Sequence, residues 1–236
     1  MAKYTLGLNT IGFNTSASLI KDNKIVAAIE EERLSREKRT RKFPINAINF
    51  CLDKANIKFE DIDSLAISWN PLINLEKFEI NASQNSSYIP SILSSTLNYM
   101  LRDIKNFNKD FFVQYLQLKN NKKIKIFFVN HHLSHASSFF LSGFSNANIL
   151  TMDAFGENEC VGFFSGKNNK IKKIDAQNFP HSLGSFYSAF TEFCGFKPQS
   201  EEWKLMGASA YGQSSNFYKK IKNLINFDKK KNFYLD

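Results

Sequence analysis

The chain has 236 residues, 43% of them hydrophobic, with a formal net charge of +9, enough for one large core or two small ones. The charge comes from Arg33 to Lys42, Lys119 to Lys125 and Lys219 to Lys231 rather than from one face; without a helix-turn-helix, zinc-finger or aromatic-basic signature it argues against nucleic acid and suits an anionic small substrate or solubility. The three cysteines, Cys51, Cys160 and Cys194, fit neither a disulfide framework nor a CxxC knuckle, and no secretory segment or membrane-length apolar run is present, so a soluble cytoplasmic protein with no membrane partner is expected.

Tyr4 to Asn9, Ser16 to Lys21 and Lys24 to Glu31 read as three strands, with Gly12-Phe13-Asn14 and Asp22-Asn23 as turns. Glu30-Glu31-Glu32-Arg33 leads into a basic loop through Lys42. Pro44 suits a first helical position, and Ile45, Ile48, Cys51, Leu52 and Ala55 follow at helical spacing. Ile62 to Trp69 is a further strand. From 71 to 121 the chain changes character: Asn81 to Ser95 is rich in Ser and Asn. Ile92 to Leu118 reads as one or two amphipathic helices with Phe107, Phe111, Phe112 and Tyr115 on one side.

Ile124 to Val129 reads as a short buried strand leading into Asn130-His131-His132-Leu133-Ser134-His135-Ala136, which holds three of the four histidines. If a helix begins near His131, then His131 and His135 stand one turn apart on one face, the spacing by which a helix offers two imidazoles to one metal ion. The plainer alternative is that these histidines cap the helix and satisfy buried hydrogen bonds.

An internal echo follows. Leu150-Thr151-Met152-Asp153-Ala154-Phe155-Gly156-Glu157-Asn158 lies beside Leu6-Gly7-Leu8-Asn9-Thr10-Ile11-Gly12-Phe13-Asn14 at constant offset. Each stretch is followed by a second strand, a lysine-flanked turn and a third strand: Cys160 to Ser165 and Ile171 to Ala176 in the later copy. Two strand–turn–strand–turn–strand units imply an α/β protein of duplicated lobes in the manner of the actin-like ATPases and sugar kinases, where such turns approach phosphate. The expected division is 1–146 for lobe one, with a helical insertion at about 72–121, and 147–236 for the start of an incomplete lobe two. Asp153, at the end of the first strand of lobe two, supplies a carboxylate to join His131 and His135. Two imidazoles and one carboxylate suit non-haem iron or a similar divalent ion. Further on, His181 or Ser182 caps a helix with Phe186, Phe190 and Phe193 as its stripe, stopping at Gly195. Glu201 to Gly212 mixes charges, small residues and glycines in a way that suits close approach to a ligand. Phe217 to Ile225 reads as a helix and Asn232 to Leu235 as the beginning of a strand without a partner.

Taken together, Glu30-Glu31-Glu32-Arg33 with Lys38, His131-His132-Leu133-Ser134-His135-Ala136, Asp153 with Gly156-Glu157, His181-Ser182-Leu183-Gly184 with Tyr187, and Glu202-Trp203-Lys204-Leu205-Met206-Gly207 to Tyr211-Gly212 resemble a known family. It is that of the O-carbamoyltransferases of the nodulation-protein and aminoglycoside/cephalosporin-tailoring type, and specifically their N-terminal half. The resemblance covers about 3–70 and 125–236. It implies an actin-like, ribonuclease H-like transferase domain related to the enzymes of tRNA threonylcarbamoyl-adenosine synthesis. In such a system a separate C-terminal domain makes carbamoyl adenylate from carbamoyl phosphate and ATP. The N-terminal domain passes the carbamoyl group to a hydroxyl of a small-molecule acceptor, with Fe(2+) or another divalent metal held by His131, His135 and Asp153. Lys38 matches the lysine that meets the anionic donor, and Gly12, Asn14, Gly156, Glu157 and Lys204 fall at the other implied substrate positions. The resemblance also implies a separate chain supplying the rest of lobe two and the adenylate-forming domain. There are departures. Phe13-Asn14 stands where the family carries His-Asp, and Ala154 where it carries glycine. The first of these, with the expected incompleteness of lobe two, motivates the alternative of a catalytically degenerate actin-like module that binds nucleotide or a protein.

Overall fold

In the computed structural model, which describes residues 3–73, 110–227 and 233–235, the first three strands are β1 (Tyr4–Asn9), β2 (Ser16–Lys21) and β3 (Lys24–Glu30). Asp22 and Asn23 turn β2 into β3 with φ of 47° and 66°, the left-handed pair of a two-residue hairpin that short polar side chains tolerate best. Beyond them come α1 (Glu31–Ser35), α2 (Ile45–Ala55), β4 (Ser64–Ile67), β5 (Phe111–Gln117) and β6 (Lys123–Val129). These strands form one sheet in the order β3-β2-β1-β4-β6-β5, with β1, β4 and β6 mutually parallel. Leu6, Leu8, Ala17 and Leu19 of the sheet pack with Ala47, Ile48, Cys51 and Leu52 of α2. Each large aliphatic side chain so buried stabilises by roughly 1.5–3 kcal/mol.

Helix α2 is held at its start by a residue far from it in sequence. Glu31 is 2% exposed, and its carboxylate accepts hydrogen bonds from Asn46 Nδ2 at 2.6 Å and the Ala47 amide at 2.8 Å. A negative charge there meets both unpaired amides and the positive end of the helix dipole. Glu31→Ala leaves those donors buried and unpaired, so an equilibrium urea titration should show a loss of about 2–4 kcal/mol. A loss within about 0.5 kcal/mol, the range of an ordinary surface change, would refute the capping role.

The helical expectation for 92–118 is corrected where the structure describes it. Residues 111–117 are strand β5, paired antiparallel with β6 along their whole length. Phe112 stacks on Phe128 at 4.5 Å between ring centroids. Phe111, Phe112 and Tyr115 match a helical stripe, but an aromatic-rich segment beside an open strand edge gains a full ladder of hydrogen bonds, and context decides. Phe107 and the rest of 74–109 in the expected helical insertion lie outside the described residues.

The later part repeats the opening pattern: β7 (Asn146–Met152), β8 (Glu159–Lys167) and β9 (Lys170–Asn178) form an antiparallel meander in the order β7-β8-β9. The α/β class and the duplicated meander are as the internal echo implies. Before it lies α3 (His131–Ala136); after it come α4 (Leu183–Phe193), α5 (Glu202–Ala208), α6 (Tyr218–Lys222), β10 (Ile225–Asn226) and β11 (Tyr234–Leu235). Gly195, with φ of 82°, ends the α4 segment in the left-handed conformation. The last strand does have a partner: β11 pairs antiparallel with β10. Phe233, Ile225 and Leu235 pack against Cys160 and Val161, and that apolar contact closes the ribbon. The chain divides into two units, Met1–Ser134 and His135–Asp236, the cut falling inside α3. Among the described residues no helix is long and apolar enough to cross a membrane.

Candidate metal centre

Helix α3 starts directly beyond the end of β6, and its cap is Asn130. The buried Asn130 side chain accepts from the Leu133 amide at 2.9 Å, and its carbonyl from the Ser134 amide at 2.8 Å. The histidines therefore do not serve as the cap. His132 is fully buried, while His131 is half-buried and His135 exposed. The His131 ring meets Trp69 edge-on at 5.8 Å and His132 at 5.5 Å, contacts that fix its plane.

Asp153 follows β7 immediately. Its amide donates to the Cys160 carbonyl at 2.9 Å, and its Oδ1 accepts from the Ala154 amide at 2.7 Å. The other oxygen, Oδ2, lies 3.5 Å from His135 Nε2. That exceeds an ordinary N–H···O bond. It is close to the roughly 3.4 Å that separates two donors each ~2.1 Å from one ion at the tetrahedral angle. His131 stands one helical turn before His135 on α3, so the constellation of two imidazoles and one carboxylate is set by one helix and one contact. This donor set fits a divalent ion of the iron or zinc type, with positions left for other ligands.

The backbone that carries Asp153 is held by the start of α4, which sequence reasoning did not assign to the site. Ser182 caps α4 by accepting from the Ser185 amide. Its hydroxyl also donates to the Ala154 carbonyl at 2.6 Å and lies 3.2 Å from the Asp153 carbonyl. Ser185 Oγ donates to the Ala154 carbonyl at 3.3 Å. A Cβ on Gly184 would come within 2.7 Å of Ala154 N and Cα, so only glycine allows this approach. The signal was present as Ser182-Leu183-Gly184-Ser185, but nothing local said which backbone it would meet.

The implied substrate positions fare differently. In the first unit Gly12 has φ of 78° and Asn14 φ of 59°; Asn14 Oδ1 is buried without a hydrogen-bond partner, and Lys38 is exposed. In the second unit the Gly156 amide donates to the Glu159 carbonyl at 2.6 Å, closing the turn, so that N–H is spent on the protein itself. Glu157 is buried, and the Lys204 ammonium pairs with Glu201. His181 accepts from the Leu235 amide at 3.1 Å, a role in closing the β10–β11 ribbon. Burial pushes the Cys51 and Cys160 thiols above their ordinary range, which suits packing rather than nucleophilic chemistry.

Comparison with known proteins gives a consistent result. The profile of the carbamoyltransferase N-terminus family matches residues 4–235. An uncharacterized protein of Synechocystis, sll1178, is 36% identical over 89% of this chain and 35% of its own length. Nodulation protein NolNO of Sinorhizobium fredii is 31% identical over 86% of this chain and 28% of its own length. The chain thus spans about a third of the length of these curated relatives. Among solved structures, YeaZ from Pseudomonas aeruginosa is similar with a TM-score of 0.35 and 11% identity, over 73% of this chain and 64% of that one.

Proposed function

The chain belongs to the carbamoyltransferase N-terminus family, and on that premise we propose that it is the acceptor-side part of an O-carbamoyltransferase. It passes a carbamoyl group from carbamoyl adenylate, made from carbamoyl phosphate and ATP, to a hydroxyl of a small-molecule acceptor. The observation that carries this is the approach of Asp153 Oδ2 to His135 Nε2 at 3.5 Å, with His131 one turn away on the same helix. These three residues hold Fe(2+) or another divalent ion. Such an ion supplies Lewis acidity for the carbamoyl carbonyl or orientation for the acceptor oxygen. The protein's own part is positional. Ala154 N–H holds Asp153 Oδ1, leaving Oδ2 toward His135, while Trp69 and His132 fix the His131 ring. Lys38 meets the anionic donor, and Gly12, Asn14, Gly156, Glu157 and Lys204 are assigned to the neighbourhood of the substrates.

Further strands and an adenylate-forming domain complete the system. The internal duplication supports the further strands. In the first unit β1 has β4 on one edge, and Leu6 and Leu8 are 0% and 7% exposed. Their counterparts on β7, Leu150 and Met152, are 58% and 52% exposed, and among the described residues β7 pairs with β8 alone. Two large apolar side chains exposed two residues apart lie on one face of the strand and form a patch of the kind that marks a contact surface.

The test is transfer of labelled carbamoyl from carbamoyl phosphate and ATP to a panel of hydroxyl compounds. The adenylate-forming part of a relative is supplied in trans. Transfer by wild type, and its loss to background in Asp153→Asn, is expected; transfer at equal rate with and without this chain would end the proposal. The degenerate binding module is the outcome if the chain binds nucleotide and no acceptor is carbamoylated.

A further inference from the structure

Side chains alternate across a strand, so with Leu6, Leu8, Ala17 and Leu19 packed on α2, Gly7, Asn9, Ser16 and Ser18 belong to the opposite face of the sheet. A cavity of about 240 Å³ opens there, bounded also by Ser68 and by Ser134 of α3. It sits at the carboxyl ends of three parallel strands: Asn9 ends β1, Ile67 ends β4 and Val129 ends β6, and all three line it. The carboxyl ends of parallel strands are where open α/β sheets take up ligands.

The chemistry of the wall says what such a ligand is. Among the described residues, none of those lining the cavity carries a charge. The hydroxyls of Ser16, Ser18 and Ser68 have no hydrogen-bond partner among the described residues, and each can both donate and accept. A Cβ on Gly7 would come within 2.7 Å of Ser18 Oγ, so glycine keeps that hydroxyl bare. Three unpaired hydroxyls around one cavity suit a ligand that presents hydroxyls of its own. An ion would enter without a counter-charge and lose its hydration. Size bounds the ligand as well: the volume is below the roughly 300–1,000 Å³ of drug-sized sites, room for a single sugar ring or a shorter polyol.

We propose that this cavity binds a small uncharged polyol, no larger than one sugar ring, and that this polyol is the hydroxyl acceptor. Ser134 stands on α3 three residues after His131 and so on the same face of the helix. That puts one wall of the cavity a single helical turn from an imidazole of the metal centre. Naming the ligand as the acceptor rests on the transferase proposal; the polyol site itself does not.

The test is calorimetric titration of the whole chain with glycerol, glucose and myo-inositol, without metal or carbamoyl donor. Saturable binding of at least one is expected; binding of none leaves a water-filled pocket and overturns the site. The double variant Ser18→Ala/Ser68→Ala should bind on the order of tenfold more weakly, as expected for two lost hydrogen bonds. Ser165→Ala, on β8, should bind as wild type does. Circular dichroism reads the fold beside each. Wild-type affinity in the double variant overturns the site, as does equal weakening in Ser165→Ala. Glucuronate, and glucosamine in mildly acid buffer, should bind at least about tenfold more weakly than glucose, because each brings an unpaired charge; equal affinity overturns the uncharged class. In the transfer assay the polyol that binds should be carbamoylated, and the double variant should raise its KM with kcat little changed. A bound polyol left unmodified while another hydroxyl compound is carbamoylated overturns the acceptor assignment. Transfer to no compound at all ends the transferase proposal and the acceptor assignment with it, and the binding result stands.

Discussion

Replacing His135 with alanine is expected to remove bound metal from the chain. Anaerobically purified wild type, loaded with Fe(2+) and desalted, should carry close to one ion per chain, and His135→Ala close to none, by elemental analysis. His135 shares α3 with His131 and faces Asp153 Oδ2 at 3.5 Å. Removing it leaves one imidazole and one carboxylate. The loss of affinity should exceed about 100-fold, above the ~10–100-fold that loss of an outer-shell partner costs. Asp153→Asn separates charge from shape, since the amide oxygen keeps the position but loses the charge that offsets the cation, so its metal content should fall as well. Fold integrity is read beside it by circular dichroism, because both side chains are about half exposed and their replacement disturbs no core. Equal metal in wild type and His135→Ala would end the metal assignment.

Gly184→Ala should be the most damaging single methyl group in the second unit. The added Cβ would lie 2.7 Å from Ala154 N and Cα and 3.0 Å from the Asp153 carbonyl carbon. All three are backbone atoms that cannot swing aside. Either α4 or the Asp153–Ala154 peptide must move, at about 1–3 kcal/mol for overpacking. Movement breaks the Ser182 and Ser185 bonds to Ala154 and turns Asp153 away from His135. The variant should therefore melt at lower temperature and bind metal more weakly, with both histidines intact. Gly207→Ala is the control: a methyl group on this helical glycine would meet nothing within 4 Å, and the change there should be neutral or stabilising by about 0.5–1 kcal/mol. If Gly184→Ala and Gly207→Ala melt together with wild type, the role given to α4 is wrong.

How much of this was legible follows from the range of the interaction concerned. The Asp22-Asn23 hairpin, the α2 stripe, the start of α3 at His131 and the two meanders all follow from contacts a few residues apart. They were readable because turn chemistry and hydrophobic period are local properties. The capping of α3 went to Asn130, a residue the histidines overshadowed although its side chain is a stronger cap. The Glu30-Glu31-Glu32 run could be quoted as a motif, yet its middle residue caps α2 across 16 positions, which no local rule ranks.

The sequence by itself determined that two imidazoles stand one turn apart, because helical geometry requires only that the segment be a helix. It also determined that a second meander would carry Asp153 at the end of its first strand, because alternation and turn residues repeat. Only the tertiary structure decided that Asp153 faces His135, that α4 grips the peptide behind it, that 111–117 is a strand and that β11 pairs with β10. Each of those is a contact between segments distant in the chain, where packing and hydrogen-bond completion outweigh intrinsic preferences worth only tenths of a kcal/mol to about 1 kcal/mol per residue.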